Sequence, residues 1–188
     1  MENIKGYTLW FTGLSGAGKT TIANGVVKNL RQRNVPVVLF DGDIVRKALS
    51  PDLKYTPEDR DEQVRRIANV CYITSENYIL NISCTNSATK KERNFARSLI
   101  DNFVEIYVKC PIEVCEERDV KGYYKKVRDG KLKNFVGIDI KYEEPTDSEI
   151  ILETDKESEE ESISKLIDFL EEKGIIPKEK LEKDIITI

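Results

Sequence analysis

Apolar side chains along this chain fall into two rhythms: short continuous runs, and longer stretches where they recur every three or four positions. The runs are Tyr7–Thr12, Val35–Phe40, Tyr78–Cys84, Phe103–Val108 and Glu149–Glu153. They are rich in β-branched and aromatic residues and predict buried strands. Pro36, near the start of the second run, suits an edge strand or an entry position. The helical rhythm begins after Thr20, with Ile22, Ala23, Val26, Val27 and Leu30 on one face. A short helix follows over Ile44–Leu49, broken by Ser50-Pro51. Thr56 as cap and Pro57 at the first helical position start another, running to about Glu76 with Val64, Ile67, Ala68 and Cys71 on one face. Further helices are expected over Thr89–Ile100, from Pro111 to about Arg118, and over Ser158–Lys173, where Ile163, Leu166, Ile167 and Leu170 share a face and Gly174 ends the element. Strands alternating with helices predict an α/β fold with a mostly parallel sheet flanked by helices.

The segment between the first strand and first helix carries the chemistry. Gly13-Leu14-Ser15-Gly16-Ala17-Gly18-Lys19-Thr20 fits G-x-x-x-x-G-K-[ST], the phosphate-binding loop, in its strand–loop–helix setting. The glycines let the backbone turn several N–H groups toward one centre, and the helix N-terminus adds partial positive charge there. Lys19 then reaches terminal phosphates and the Thr20 hydroxyl a magnesium ion. The fold class is therefore a P-loop NTPase fold with a five-stranded sheet.

The second strand runs into Asp41-Gly42-Asp43. Ligands of open α/β sheets gather at the carboxyl ends of strands, so these acids can hold Mg²⁺ or accept a hydroxyl proton, or simply make a solvated Asp-Gly turn. Arg46, Arg60, Arg65 and Arg66 are candidate anion ligands or members of a solvated face. The third strand has no acid at its end, which moves metal duty toward Asp41 and Asp43. The turn Thr85-Asn86-Ser87 follows, and Ser87 is a nucleophile by position or a helix cap.

Arg118, Lys121, Lys125, Lys126, Arg128, Lys131 and Lys133 form a basic stretch with Gly122 and Gly130 inside it. It suits a mobile lid over polyphosphate, residues 118–139, or a solvated amphipathic helix. Phe135 either stacks on a base or plugs the core. The chain has 188 residues and a net charge of −4, which argues against a general nucleic-acid or membrane-surface binder. With no signal-like start and no apolar run of membrane length, a cytoplasmic location is expected. There is no histidine, so a histidine base or metal site is excluded, and the four cysteines read as buried free thiols. The domain reading is one kinase domain over 1–177 and a tail over 178–188.

These pieces together resemble the adenylylsulfate kinases, members of the P-loop nucleotide kinases. The likeness rests on Gly13 to Thr20, Asp41-Gly42-Asp43 with Val45-Arg46, Glu58-Asp59-Arg60, Arg65-Arg66, Arg118-Asp119, Lys121-Gly122, Tyr124-Lys125-Lys126, Lys133-Asn134-Phe135 and Gly137-Ile138-Asp139. It implies a kinase that uses Mg-ATP to phosphorylate the ribose 3′-hydroxyl of adenylylsulfate, with a homodimer as a common family assembly. It implies ATP on Gly13 to Thr20 and Arg118, and metal at Thr20 and Asp41. It further implies catalysis by Lys19, Asp41, Asp43 and a serine at position 87. The acceptor would meet Asp43, Arg46, Tyr55, Arg60, Gln63, Ser87, Lys121, Lys125, Lys133 and Phe135.

The departures cluster at the acceptor. Ile44 replaces an Asn, Lys47-Ala48 a His-Gly, Tyr55 a Phe, Gln63 an Asn, and Thr85-Asn86-Ser87-Ala88 a Phe-Ile-Ser-Pro. The same chemistry on cytidine diphosphoramidate, as in capsule phosphoramidate synthesis, is the alternative. A nucleotide-dependent switch is the reading from another class: Asp119-Val120-Lys121-Gly122 fits D-x-x-G, though no N-K-x-D accompanies it.

Overall fold

The computed structural model describes residues 6–178, and the tail expected over 178–188 lies outside them from residue 179 on. The elements run β1 (Thr8–Thr12), α1 (Lys19–Gln32), β2 (Val37–Asp41), α2 (Gly42–Leu49), α3 (Pro57–Ser75), β3 (Leu80–Cys84), α4 (Lys90–Leu99), β4 (Phe103–Lys109), α5 (Ile112–Arg118), α6 (Tyr123–Arg128), β5 (Ile150–Glu153) and α7 (Glu159–Glu172). Five strands form one sheet in the order β2-β3-β1-β4-β5, with every pairing parallel. The sheet is entirely rather than mostly parallel: between successive strands one or two helices carry the chain back to the same end of the sheet, which leaves no hairpin to reverse direction. Pro36 falls just before β2, which is an edge strand, so its missing N–H costs the sheet nothing.

The centre of the sheet explains the hydrophobic runs. Every residue of β1 is buried because helices cover both faces. Leu9 and Phe11 point into a core shared with Ile22, Val26 and Leu30 of α1 and Leu166 and Leu170 of α7. Trp10 points the other way, among Val64 and Ile67 of α3, Ala96 of α4 and Phe103, whose ring lies 5.8 Å away. That period of two, set by the pleat, sorts one strand's side chains between two helical layers.

The helix starts follow from capping. Thr56 accepts from the Asp59 N–H, Thr89 forms a capping box with Glu92, and Ser158 forms one with Glu161. Thr89, two residues after Ser87, is therefore the cap of α4. Helix α2 begins two residues earlier than its apolar pattern suggests, because Asp41 itself caps it. Helix α1 has no side-chain cap and no acid in its first turn. Its first N–H groups and its dipole are left for an anion.

Candidate active site

The phosphate-binding loop closes tightly against its surroundings. Gly13 has φ +146°, and a Cβ there would stand 2.4 Å from the Val108 carbonyl oxygen of β4. Within the loop, Lys19 Nζ donates to the carbonyls of Gly13 (2.8 Å) and Leu14 (2.7 Å) and to Asn86 Oδ1 (3.1 Å). Burial, the largest cause, with Lys121 adding to it, pulls the Lys19 ammonium down to about 8. Ala17 is buried, and its carbonyl accepts from Thr154 Oγ1 at 2.8 Å, which ties the end of β5 to the loop.

The two acids take different parts. Asp41 is buried; Oδ2 accepts from Thr20 Oγ1 at 2.8 Å, while Oδ1 accepts from the Asp43 N–H at 3.0 Å. Asp43 is half-exposed and forms an ion pair with Lys121. So the Asp-Gly-Asp segment is neither a plain solvated turn nor a pair of equivalent ligands. One carboxylate faces the Thr20 hydroxyl and the other faces the basic segment.

Both acids, most of the loop and the basic segment line one cleft of about 520 Å³, within the range of small-ligand sites. Arg46, Tyr55, Arg60 and Gln63, which the sequence reading assigned to an acceptor, line the same cleft. The Arg46 guanidinium lies 4.6 Å and that of Arg60 5.6 Å from the centre of the Tyr55 ring. Arg46 donates to the Lys54 carbonyl and Arg60 to the Asn134 carbonyl, and among the described residues neither is in an ion pair. Burial, with Arg46 beside it, lowers the pKa of Arg60. Gln63 is buried, lines the cleft, and has neither Nε2 nor Oε1 hydrogen-bonded among the described residues. A buried amide left unpaired is costly, which marks this lining as built for a polar ligand.

The basic segment lies across the cleft. Tyr124 is buried and donates to the Ser15 carbonyl at 2.9 Å. Phe135 is buried too, edge-on to Tyr124 at 4.9 Å, and borders the cleft beside Lys133. Its side chain thus plugs the core, one of the two roles the sequence offers, and also borders the cleft. Arg118 donates to the Thr154 carbonyl (2.6 Å) and Oγ1 (3.2 Å) at the outer side of the loop. Lys125 stands apart: its side chain is exposed and does not line the cleft, and its backbone N–H donates to Asp119 Oδ2 at 3.0 Å. The D-x-x-G match is accounted for by the same contact. Asp119 accepts from the N–H groups of Tyr124 and Lys125, and Gly122 takes the left-handed φ of +64° at the turn into α6.

Ser87 is buried with φ +41°, and its Oγ accepts from the Trp10 indole N–H at 2.9 Å. The four cysteines are free and buried, and burial pushes the thiols of Cys84 and Cys115 up to about 12. No helix among the described residues is long and apolar enough to cross a membrane. Asn86, Tyr124 and Thr154 are site residues that the sequence reading passed over. Asn86 alone had a signal, since it directly follows a central strand at its carboxyl end.

Comparison with known proteins agrees with this geometry. Residues 5–153 match the family model described as adenylylsulphate kinase. The adenylyl-sulfate kinase of Halothermothrix orenii is 49% identical over 187 residues, covering 100% of both chains. That of Clostridium acetobutylicum is 45% identical over 173 residues, covering 92% of this chain and 86% of its own. Among solved structures, the Mycobacterium tuberculosis APS kinase CysC in complex with AMPPNP and APS superposes with a TM-score of 0.84. It is 34% identical and covers 89% of this chain and 98% of its own. With the family model spanning most of its length and relatives matching it nearly end to end, this chain belongs to the adenylylsulphate kinase family.

Proposed function

We propose that the protein transfers the terminal phosphoryl group of ATP to the ribose 3′-hydroxyl of adenylylsulfate, giving ADP and 3′-phosphoadenylylsulfate. The observation that carries this reading is the two-sided cleft. A phosphate loop with a charged lysine forms one wall. Two guanidinium groups without carboxylate partners and an unpaired buried amide line the rest, and Asp43 belongs to the same lining.

The chemistry follows from that order. The bond from the γ-phosphorus to its bridging oxygen breaks, a bond to the acceptor oxygen forms, and the hydroxyl proton passes to Asp43. Lys19 and the first N–H groups of α1 neutralise charge on the terminal phosphates. Arg46 and Arg60 hold the anionic part of the acceptor, and Tyr55 and Phe135 supply flat apolar surface for its base. Gln63 pairs with a polar edge of that base. Lys121 and Lys133 close over the phosphates, and residues 118–139 act as the lid. Arg118 borders the donor nucleotide. Ser87 serves by holding its turn in place beside the acceptor rather than as a covalent nucleophile.

The donor set also fits Mg²⁺. Thr20 Oγ1 and Asp41 Oδ2 lie 2.8 Å apart, both hard oxygen ligands at the phosphate end of the cleft. Among the described residues there is no cluster of three or more His, Cys, Asp or Glu, and magnesium held largely by substrate phosphates and water needs none. When bound, an ion held by Thr20 and Asp41 would neutralise negative charge on the transferring phosphates.

The names of the relatives favour adenylylsulfate over cytidine diphosphoramidate as acceptor. The test is ADP release with Mg-ATP and each compound in turn. Turnover of adenylylsulfate at least a hundredfold more efficient than of the cytidine compound is expected. The reverse order would overturn the acceptor assignment while leaving the kinase chemistry, and slow hydrolysis indifferent to either acceptor would overturn both.

A further inference from the structure

The turn after β3 is held from behind by more bonds than a surface loop needs. Thr12 Oγ1 donates to the Asn86 carbonyl at 2.6 Å and pairs with the Tyr142 hydroxyl at 2.9 Å. The Trp10 indole holds Ser87 Oγ, and Arg93 Nη1 donates to the Ser87 carbonyl at 2.9 Å. Arg93 is itself buried, 3.5 Å from the buried carboxylate of Glu105. Ser87 keeps a left-handed φ of +41°, uncommon for a residue with a side chain. The consequence of all this is carried by one group that none of these bonds uses, the Asn86 carboxamide.

That carboxamide is oriented by chemistry. Lys19 is an ammonium with N–H donors only, so Oδ1 must be the atom facing it, at 3.1 Å. The two loop carbonyls take the other two N–H groups of Lys19. Nδ2 then points away from Lys19, finds no protein acceptor among the described residues, and belongs to a half-buried side chain lining the cleft. Asp41, Asp43 and Lys121 line the same cleft.

The geometry points to Asn86 as a further catalytic residue, whose Oδ1 aims Lys19 and whose Nδ2 donates to the phosphoryl group in transit. It stands at the carboxyl end of a central strand, where a donor is fixed by the sheet rather than by a mobile loop. A neutral amide suits that place. It holds the lysine without an opposing charge, so incoming phosphates outcompete it for Lys19, and it adds a donor that strengthens as charge builds on the equatorial oxygens. This inference rests on the phosphoryl-transfer reading above, though one arm of its test does not depend on the acceptor.

Two substitutions separate the roles. Asn86→Ala removes both atoms, and a 10- to 100-fold fall in kcat is expected with the KM values for ATP and acceptor within threefold of wild type. Asn86→Asp keeps the shape and the acceptor toward Lys19 but replaces the donor with negative charge. Its ATP and ADP affinities by calorimetry should weaken tenfold or more, with AMP affinity within twofold. Should the alanine variant fail to fold, the aspartate variant carries the test, because its side chain fills the same space. A kcat within threefold of wild type in Asn86→Ala overturns the catalytic role. So does ATP affinity unchanged in Asn86→Asp, or a loss of ATP, AMP and acceptor binding together, which marks a purely structural residue. If wild type binds ATP but phosphorylates no acceptor tried, the substrate reading fails and the calorimetric result on Asn86 still stands.

Discussion

The division of labour between Asp41 and Asp43 shows how much a single hydrogen bond decides. Both acids stand at the end of β2, Asp41 as its last residue, yet only Asp41 is spent on the Thr20 hydroxyl and the α2 cap. Asp43 is left with the Lys121 ammonium as its side-chain partner and free for the proton-acceptor role proposed for it. Asp43→Asn is therefore expected to lower kcat by about 10²- to 10⁴-fold, the usual worth of a general base. KM for ATP should stay near wild type; a raised ATP KM with intact kcat would show that Asp43 serves the metal instead. Arg60→Ala should raise the acceptor KM about 10- to 100-fold, in keeping with a charged hydrogen bond worth about 1.5–3 kcal/mol, and leave the ATP KM alone. Phe135→Ala carries a double expectation. Its ring is part of the core, so about 3 kcal/mol of stability should go with it, read by denaturant unfolding. Loss of acceptor affinity beyond that of a folded control would be the sign of base contact.

At this scale the sequence was readable where a residue type is dictated by its task. Gly13, Gly18, Lys19 and Thr20 are legible because no other residues make that loop. Asn86 and Tyr124 were not, since amides and tyrosines serve equally well on any surface, and only the fold brings them to the loop. Lys125 lies off the cleft lining for the same reason: a basic run on a helix spreads around its axis, and a side chain on the outer face meets water.

Elements, unlike single residues, announced themselves. Every strand and helix expected from the apolar rhythm is present, with ends shifted by a few residues where a cap decides them, as Asp41 does for α2. The connection between α2 and α3 matters most for function because it carries Tyr55. Arg66 clamps it, donating to both oxygens of Asp52 (2.7 Å each), to Glu62 (2.8 Å) and to the Leu49 carbonyl (2.9 Å). Arg66→Ala should free this connection and raise the acceptor KM severalfold, with the ATP KM unchanged; equal effects on both substrates would assign the clamp to general stability.

The same clamp has an acid limit. Hydrogen bonds from Arg65 and then Arg66 hold the Glu62 carboxyl down at about 2, below its usual 4.5. A carboxylate depressed by folding contributes stability above its unfolded value and loses it as pH falls through the folded one. The contribution should therefore fade between about 4.5 and 2. Glu62→Gln should flatten acid unfolding in that window, and only slightly, because the pair is solvent-exposed.

For the whole molecule, topology was the easiest part to foresee and assembly of the cleft the hardest. Strand–helix alternation leaves few arrangements for a parallel sheet, and the phosphate loop marks which strand ends bear the site. What no local pattern reveals is that residues 118–139 touch both walls at once. Tyr124 is bonded to the phosphate loop through Ser15, and Asn134 to the opposite wall through Arg60.

With residues 118–139 acting as the proposed lid, that double attachment would make the two nucleotides share a door. Whichever arrives first draws the same segment down, so the second finds part of its own enclosure already in place. Linkage then requires the favour to be returned by the same factor: ADP should bind more tightly when adenylylsulfate is present, and adenylylsulfate more tightly when ADP is. Departure is tied in the same way, since neither can leave without loosening a contact that also holds its neighbour. Turnover should accordingly slow in viscous buffer, with the pace set by the opening of the door rather than by the reaction behind it.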